Sequence, residues 1–351
     1  MSHRHRVLFL LKKRHCYGYD QDYDHSHGYF SSGLYWSARF AQRMLHEHGY
    51  DSRLVEVVDG NDIDREVTHF HPSLVILEAL WVTPAKLAEN VYLHPLVKWV
   101  VRLHSETPFL ALEGIAVDWI KSYWKIPNVL VSPNSPRLQR DLEAIRVSTL
   151  GLPVPTPLLP TFYPLGEIYP HAGNANQEEL SVACPGAIRP FKNHLTQAIA
   201  AMRYAQGQGL RLNFYVNKSR SEQGGDNVYK NLVSLFDGTP HKLIGLPWME
   251  RENFLTFLRG MDLGMQVSFT ETFNIVAADM VKVQLPIVVS PQIHWSSHHS
   301  QADPTDSEGI TDAIARAVDN PYLQYLNERG LRRAGDVSRR RWLEELHQIL
   351  A

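Results

Sequence analysis

Short runs of apolar residues alternate with amphipathic segments along most of the 351-residue chain. Apolar residues recur at helical spacing in segments such as 34–49 and 113–124, which predict amphipathic helices. The apolar runs between such segments predict buried strands, in the first half at residues 6–11, 52–58, 74–78, 99–104 and 128–132. Because strands alternate with helices, the pattern indicates a parallel sheet with helices on both faces.

The pattern is interrupted by a proline-rich passage at residues 152–164. Proline offers no N–H group to a strand ladder, so this passage predicts a linker rather than a strand. The alternation then resumes, with strands predicted at residues 180–186, 211–217, 241–245, 262–268 and 286–290. The tail from residue 322 is amphipathic and predicts a pair of helices.

These elements predict an α/β fold with two Rossmann-like domains that face each other across a cleft. We expect an N-terminal domain, a linker, a C-terminal domain and helices that pack back onto the first domain, at residues 1–165, 166–179, 180–320 and 321–351. Ligands of open α/β sheets bind beyond the carboxyl ends of the strands, so the cleft is the expected place of the site.

Composition narrows the class of protein. The chain is 44% hydrophobic and 21% charged, which is typical of a folded protein, and its formal net charge is -2. A dedicated duplex-DNA binder usually has a basic excess, although a local basic groove stays open. No run approaches the ~20 apolar residues that span a bilayer, so no integral membrane contact is expected. Two cysteines, Cys16 and Cys184, predict free thiols and a cytoplasmic location.

An acidic residue and a predicted helix start stand together in the second half. Glu271 follows a predicted strand, a helix is expected to begin near Asn274, and Asp279 lies about one and a half turns into it. A helix start presents unpaired N–H groups and about half a positive charge, which suits a diphosphate. Two carboxylates spanning up to ~12 Å would then hold the hydroxyl-rich groups on either side. The alternative is that both acids are only helix-start charges.

Two cations precede another predicted helix. Arg189 and Lys192 lie in the segment GAIRPFKNH, which joins a predicted strand to that helix. Cations are unfavourable at a helix start, so an anionic ligand explains them better than a solvated pair does. Either cation would neutralise charge on a departing diphosphate.

Four further residues are candidates for the site. Gly33 opens a helix and allows close approach of the backbone to phosphate or sugar, although a plain helix cap fits as well. His104 ends the fourth predicted strand, where a site role competes with a structural one. Pro247 and Trp248 follow the strand at 241–245 and are predicted to flank a base, unless they anchor a loop in the core.

The segment ETFNIVAAD resembles the donor motif of the retaining glycosyltransferases of GT-B fold, especially those of the family-four type. That motif is two glutamates separated by seven residues, with phenylalanine and glycine after the first. Here Phe273 is kept, Asn274 stands at the glycine, and Asp279 stands at the second glutamate. In GAIRPFKNH, Lys192 falls on the family's lysine, and Ala187 falls on its arginine.

The resemblance implies a UDP- or GDP-linked sugar as donor, no required cofactor or metal, and transfer with retention. By the resemblance, Glu271 contacts sugar hydroxyls, His104 lies beside the transferred sugar, and Asp279 holds the ribose. Backbone amides then bind the phosphates, at Asn274, Ile275 and Val276. The candidate catalytic residues are His104, Glu271, Lys192 and Arg189.

The acceptor rests on a narrower resemblance. Several segments, among them SSGLYWSARF and RLHSETPF, look like those of bacteriophage-encoded transferases, which implies a 5-hydroxymethylpyrimidine base in DNA as acceptor and the host cytoplasm as location. The N-terminal loop would then offer cations for phosphates and tyrosines for an extruded base, namely Lys13, Arg14, Tyr17 and Tyr29. A glycan, a lipid-linked sugar, a small molecule or a protein stays open as acceptor. A sugar-nucleotide epimerase or a non-transferring binder of the same fold is the alternative class.

Two acidic or histidine-rich clusters imitate metal sites. Asp20 and Asp22 form a DxD pair in a polar loop, and a second cluster comprises His294, His298, His299 and Asp303. Neither has regular ligand spacing on a defined element, so no metal site is predicted.

Overall fold

The structure, a computed structural model, describes residues 5–13, 33–151 and 156–351 and divides into two compact units. Unit 1 holds the described residues that precede Leu165, together with Gly335–Ala351, and unit 2 holds Leu165–Ala334. The segment 166–179, predicted as a linker, is assigned to unit 2. Its backbone is fastened there, since Tyr169 N–H donates to the Lys282 carbonyl at 2.9 Å.

The described part of unit 1 contains a five-stranded parallel sheet. Its strands are β1 (Arg6–Lys12), β2 (Asp51–Val57), β3 (Leu74–Glu78), β4 (Lys98–Leu103) and β5 (Val129–Pro133). They lie in the order β2-β1-β3-β4-β5. The five predicted runs are confirmed as strands to within one residue. Four of these strands are buried on both faces and are therefore apolar at nearly every position, whereas β2 is only partly buried.

Helices cover both faces of this sheet. They are α1 (Gly33–Glu47), α2 (Asp62–Phe70), α3 (Pro84–Leu93), α4 (Thr107–Leu110), α5 (Ala116–Tyr123) and α6 (Pro136–Leu150). Val7 of β1 packs in the same core cluster as Met44 of α1, whereas the next residue, Leu8, packs in the cluster of Val67 from α2. This alternation is the period of two that a strand imposes.

Unit 2 repeats the architecture with a second five-stranded parallel sheet among its described residues, in the order β10-β9-β6-β7-β8, counting strands in chain order. The strands are β6 (Glu179–Ile188), β7 (Arg211–Ser221), β8 (Lys242–Gly245), β9 (Leu263–Gln266) and β10 (Ile287–Val289). The helices are α7 (His194–Gly207), α8 (Gly225–Phe236), α9 (Arg251–Arg259), α10 (Ile275–Lys282) and α11 (Ser307–Asp319). Cys184 is a buried free thiol, as predicted, whereas Cys16 lies outside the described residues.

The described part of the proline-rich passage is irregular in structure, yet it is packed against unit 1. Leu159 is fully buried, and its N–H donates to the Pro133 carbonyl at 3.1 Å. Tyr163 is also buried, with 1% of its surface exposed. This described part therefore belongs to the core of unit 1.

The tail forms one helix, α12 (Tyr322–Leu350), so the predicted pair of helices is wrong. This helix passes close to two backbone carbonyls at glycine positions, where the absence of a Cβ atom gives the carbonyls room. A Cβ atom at Gly330 would lie 2.1 Å from the Trp295 oxygen, and one at Gly335 would lie 3.1 Å from the Tyr163 oxygen. The return to the first domain is confirmed, because Trp342 packs in the core of unit 1.

Replacing Gly330 by alanine should lower the free energy of unfolding by about 1–3 kcal/mol, the usual cost of overpacking. The reason is the overlap of the new methyl group with the Trp295 carbonyl. Gly207→Ala is the matched control, since that glycine, the last residue of α7, has open space at its Cβ position. Urea unfolding of both variants tests the contact, and an unchanged midpoint for Gly330→Ala would contradict it.

His194, the first residue of α7, gives unit 2 a dependence on pH. The side chain is 1% exposed, and burial, together with the charges of Lys192 and Arg189, lowers its pKa from 6.5 to about 3. The folded protein keeps the imidazole neutral, whereas the unfolded chain protonates it below pH 6.5. The stability that depends on this group is therefore complete above pH 6.5 and is lost as the pH falls toward 3.

His194→Gln should reduce the slope of unfolding free energy against pH by up to about 1.4 kcal/mol per pH unit. The relevant window lies between about pH 6 and pH 4, where wild-type stability falls with decreasing pH. His298→Gln, at an exposed position of the same unit, is the control. Urea unfolding at a series of pH values measures the slope. Coinciding slopes for His194→Gln and the wild type would mean that His194 ionises freely in the folded protein.

Candidate functional site

Two loops of unit 2 meet at the carboxyl ends of the neighbouring strands β6 and β9. The first loop carries Lys192 and the second carries Glu271. Gln197 joins them, since its side-chain oxygen accepts from Val267 N–H at 2.8 Å and its amide nitrogen donates to the Lys192 carbonyl at 2.7 Å. Asn193 adds a bond from its side-chain nitrogen to the Val267 carbonyl at 3.1 Å. Side-chain amides thus hold the two loops together.

The ammonium group of Lys192 forms an ion pair with the carboxylate of Glu271. The same ammonium lies 3.5 Å from the Oε1 atom of Gln266. The Lys192 and Glu271 side chains are 11% and 10% exposed. The pair is sheltered enough for charge interactions to be strengthened, yet a ligand can still reach it.

The helix that was predicted to begin near Asn274 is confirmed as α10, with Asn274 as its N-cap. The Asn274 backbone is left-handed, with φ of 65°, and its Oδ1 atom accepts from Ala277 N–H at 2.9 Å. The N–H groups of Ile275 and Val276 have no acceptor among the described residues, and both residues are partly exposed. Unpaired donors at a helix start bind anions.

Asp279 lies further along α10 and is already paired. Its carboxylate forms an ion pair with Arg251, the first residue of α9. The two side chains are 6% and 11% exposed, respectively. The ribose contact predicted for Asp279 stays a prediction, and the structure adds Arg251 as the cation that accompanies it.

A cationic cluster lies at the carboxyl end of β7. Arg189 and Arg220 pair with the same carboxylate, that of Glu222, at 3.4 and 2.6 Å. The Arg220 guanidinium also lies over the ring of Trp248, 4.8 Å from its centroid. Among the residues that the structure describes, the cluster holds two arginines and one glutamate. Trp248 is half-buried, and Pro247 beside it is exposed.

In unit 1, His104 directly follows β4 and belongs to a buried charged network. Its Nε2 atom bonds to the Glu78 carboxylate, and its Nδ1 atom lies 3.4 Å from Asn134 Nδ2. Arg102 reaches both oxygens of Glu78 at 3.1 Å. Glu78 and Arg102 are fully buried. Glu78 is the last residue of β3, and Arg102 directly precedes the last residue of β4.

The charges of this network follow from burial and pairing. Burial alone raises the pKa of Glu78, but the charge of Arg102, together with hydrogen bonds from Arg102 and His104, brings it below its ordinary value. Burial and the charge of Arg102 lower the pKa of His104. Glu78 is therefore ionised and His104 neutral near pH 7. Because a carboxylate only accepts, Nε2 carries the imidazole proton.

The remaining predicted residues are placed as follows. Gly33 is the exposed first residue of α1, with open space at its Cβ position. Lys13 follows β1 and is half-buried. Arg14, Tyr17 and Tyr29 lie outside the described residues.

The histidine cluster of unit 2 forms no metal-binding group. Within residues 5–13, 33–151 and 156–351, no three histidine, cysteine or acidic side chains gather as metal ligands. Asp20 and Asp22 lie outside these ranges. Among the helices of the described chain, none has both the length and the apolar character required to cross a bilayer.

The residues of these networks that sequence reasoning missed include Gln266, Arg251, Glu78 and Arg102. Three of them carried a signal, because Glu78, Arg102 and Gln266 are polar residues in otherwise apolar strand runs. A buried polar side chain needs a partner, and such a position therefore indicates a network. Arg251 carried none, because its partner lies 28 positions away on another helix.

No protein-family model matches the sequence, and no curated protein matches it either. Solved structures do match. The sucrose-phosphate synthase from Thermosynechococcus elongatus is 14% identical, with 99% of both chains covered and a TM-score of 0.65. The N-terminal domain of Candida albicans trehalose-6-phosphate phosphatase is 10% identical, with 97% of this chain and 96% of that chain covered and a TM-score of 0.67.

A UDP-forming α,α-trehalose-phosphate synthase from Burkholderia xenovorans is 12% identical, with 91% of this chain and 85% of that chain covered and a TM-score of 0.62. At such identities the similarity establishes the fold. Two α/β domains, each with a five-stranded parallel sheet in its described part, match the GT-B glycosyltransferases, and the predicted fold class is confirmed.

Proposed function

We propose that this protein is a retaining glycosyltransferase that moves a sugar from a nucleotide-diphosphate donor to an acceptor hydroxyl. The observation that supports this proposal is the convergence of a cation, two open N–H groups and a carboxylate in unit 2. The Lys192 ammonium and the Asn274 cap of α10 both contact Gln266 Oε1, and Glu271 pairs with the ammonium. A cation and a helix start suit a diphosphate, and a carboxylate suits sugar hydroxyls.

In this proposal the donor lies along the carboxyl edge of the unit 2 sheet. Lys192 and the N–H groups of Ile275 and Val276 bind the diphosphate, while Glu271 accepts hydrogen bonds from the sugar. Asp279 contacts the ribose, and the half-buried Trp248 ring flanks the base together with Pro247. The UDP-forming synthase among the similar structures supports UDP as the first nucleotide to test, with GDP second.

The reaction transfers one glycosyl group from the diphosphate to the acceptor. The bond from the anomeric carbon to the diphosphate oxygen breaks, and the acceptor oxygen bonds to the same face of that carbon. The acceptor proton passes to a phosphate oxygen. Lys192, Arg189 and the start of α10 stabilise the negative charge on the departing diphosphate. One similar structure, a trehalose-6-phosphate synthase, is described for glycosyl transfer with retention, which supports this stereochemistry.

Two residues of unit 1 complete the proposal. His104, with a neutral imidazole fixed by Glu78, is proposed as a contact of the transferred sugar. Gly33 begins α1 with open space around it, which supports a close backbone approach to the donor.

The chemical class of the acceptor is a separate part of the proposal. Among the similar structures, several are named for making sugar phosphates, and one holds glucose-6-phosphate. These names favour a phosphorylated sugar as the first acceptor to test. The hydroxymethylpyrimidine in DNA that the sequence predicted is the second candidate. Of its four contact residues only Lys13 lies in the described chain.

Lys192→Ala should lower kcat for donor turnover by about 100-fold or more, because the charge on the leaving diphosphate loses its cation. Glu271→Gln should raise the donor KM and lower kcat, because the carboxylate is both a sugar acceptor and the partner of Lys192. Lys230→Ala, which removes an exposed lysine from α8, is the control. Release of UDP or GDP is measured with and without acceptor. Near-normal turnover in both site variants would discard the assignment, and donor binding without any turnover would indicate a binder.

The acceptor class is tested by mass spectrometry after incubation with UDP- and GDP-sugars. Hexose phosphates, hydroxymethylated DNA, oligosaccharides and lipid-linked sugars are offered in parallel. We expect a mass increase of one glycosyl unit on the hexose phosphate. A mass increase on the hydroxymethylated DNA alone would identify DNA as the acceptor instead. Conversion of the donor to an isomer, with no acceptor modified, would instead indicate an epimerase.

A further inference from the structure

One buried side-chain amide touches the groups that the proposed donor site uses. Gln266 ends β9 and is 2% exposed. Its Oε1 atom accepts from Asn274 Nδ2 at 2.8 Å and lies 3.5 Å from the Lys192 ammonium. Its Nε2 atom donates to the Pro185 carbonyl of β6 at 2.8 Å. A single side chain therefore connects two strand ends, the lysine and the start of α10.

The orientation of this amide is fixed by its partners. The Pro185 carbonyl only accepts, so the amide must present its nitrogen there and its oxygen to the other two groups. An ammonium group has three N–H donors. Within the described part of the chain, Glu271 and Gln266 each accept one, so the Lys192 ammonium keeps one donor for a phosphate oxygen and has a defined direction for it.

Asn274 performs the matching task at the helix start. Its backbone has φ of 65°, a left-handed conformation that asparagine tolerates better than most residues. Its side chain bonds Ala277 N–H on one side and Gln266 on the other. The Ala277 donor is thereby occupied, and no described residue accepts from the N–H groups of Ile275 and Val276, which are left for a ligand.

We propose that Gln266 and Asn274 are positioning residues of the donor diphosphate site. They act through Lys192 and the start of α10, and they hold the ammonium and the two open N–H groups at one fixed separation. A lysine stem is flexible, so without Gln266 the ammonium follows Glu271 alone. The inference rests on the proposed function and specifies how the phosphates, rather than the base or the sugar, are recognised.

The test compares ligands with and without phosphates. Gln266→Met keeps the length of the side chain and removes its hydrogen bonds. We expect the Kd of UDP or GDP, measured by calorimetry, to rise about tenfold. The Kd of uridine or guanosine, measured by NMR titration, should stay unchanged. A general loss of structure would weaken both ligands alike, so the ratio of the two constants isolates the positioning effect.

Gln42→Met is the matched control. Gln42 is also buried, and its side-chain nitrogen donates to the Ser52 carbonyl at 2.8 Å and to the Ser52 hydroxyl in unit 1. The same chemical change there should lower stability and leave the diphosphate-to-nucleoside ratio at the wild-type value.

Asn274→Gly provides a second, independent variant. Glycine accepts the left-handed backbone, so the substitution removes only the side-chain links. We expect diphosphate binding to weaken about threefold, and Gln266→Met to cost less in this background than in the wild type. If Gln266→Met weakened diphosphate binding equally in the wild type and in Asn274→Gly, Asn274 would not act together with Gln266.

Two failures are distinguishable. Wild-type protein that binds neither UDP nor GDP would overturn the proposed function and this inference together. Wild-type protein that binds UDP or GDP, with an unchanged diphosphate-to-nucleoside ratio in Gln266→Met and Asn274→Gly, would overturn the positioning role alone.

Discussion

The ion pair between Lys192 and Glu271 is the interaction on which the proposed site depends. A charge buried at a strand end must be paired, and the Arg102–Glu78 pair of unit 1 meets the same requirement. The two pairs differ in access. Arg102 and Glu78 are wholly buried, so their pairing is permanent and serves to orient His104. Lys192 and Glu271 keep about a tenth of their surface exposed, so a phosphate can reach the ammonium group.

The strands were predictable because burial on both faces leaves a local signal in the chain. Residues 74–78 illustrate this, since the predicted run and β3 coincide. The tail was not predictable in the same way. In α12, Gly330 and Gly335 leave room for the carbonyl groups of Trp295 and Tyr163, which are distant in sequence. Local patterns carry no information about such approaches, and a single helix was therefore taken for two.

The candidate site shows the same division. Lys192, Glu271 and the start of α10 were predicted because each chemical group stands beside a strand end in the sequence. Their arrangement was not, since it depends on Gln266, which lies 74 positions from Lys192. Asn274 shows what the sequence alone leaves open. In residue type it departs from the glycine of the resembled motif. Its side chain, however, stabilises the left-handed backbone that glycine adopts freely.

Under the proposed function, the resting ion pair also favours the intact donor over the product. When a complete sugar donor binds, the diphosphate takes the remaining N–H donor of Lys192, and the sugar hydroxyls donate further hydrogen bonds to Glu271. A nucleoside diphosphate without sugar takes the same Lys192 donor, but it brings phosphate charge beside the carboxylate and offers no sugar hydroxyl to bond it. That repulsion weakens product binding, because like charges in a sheltered site are costly. Removing the carboxylate charge should therefore slow product release even where it preserves binding, which gives Glu271 a role in turnover beyond its contact with the sugar.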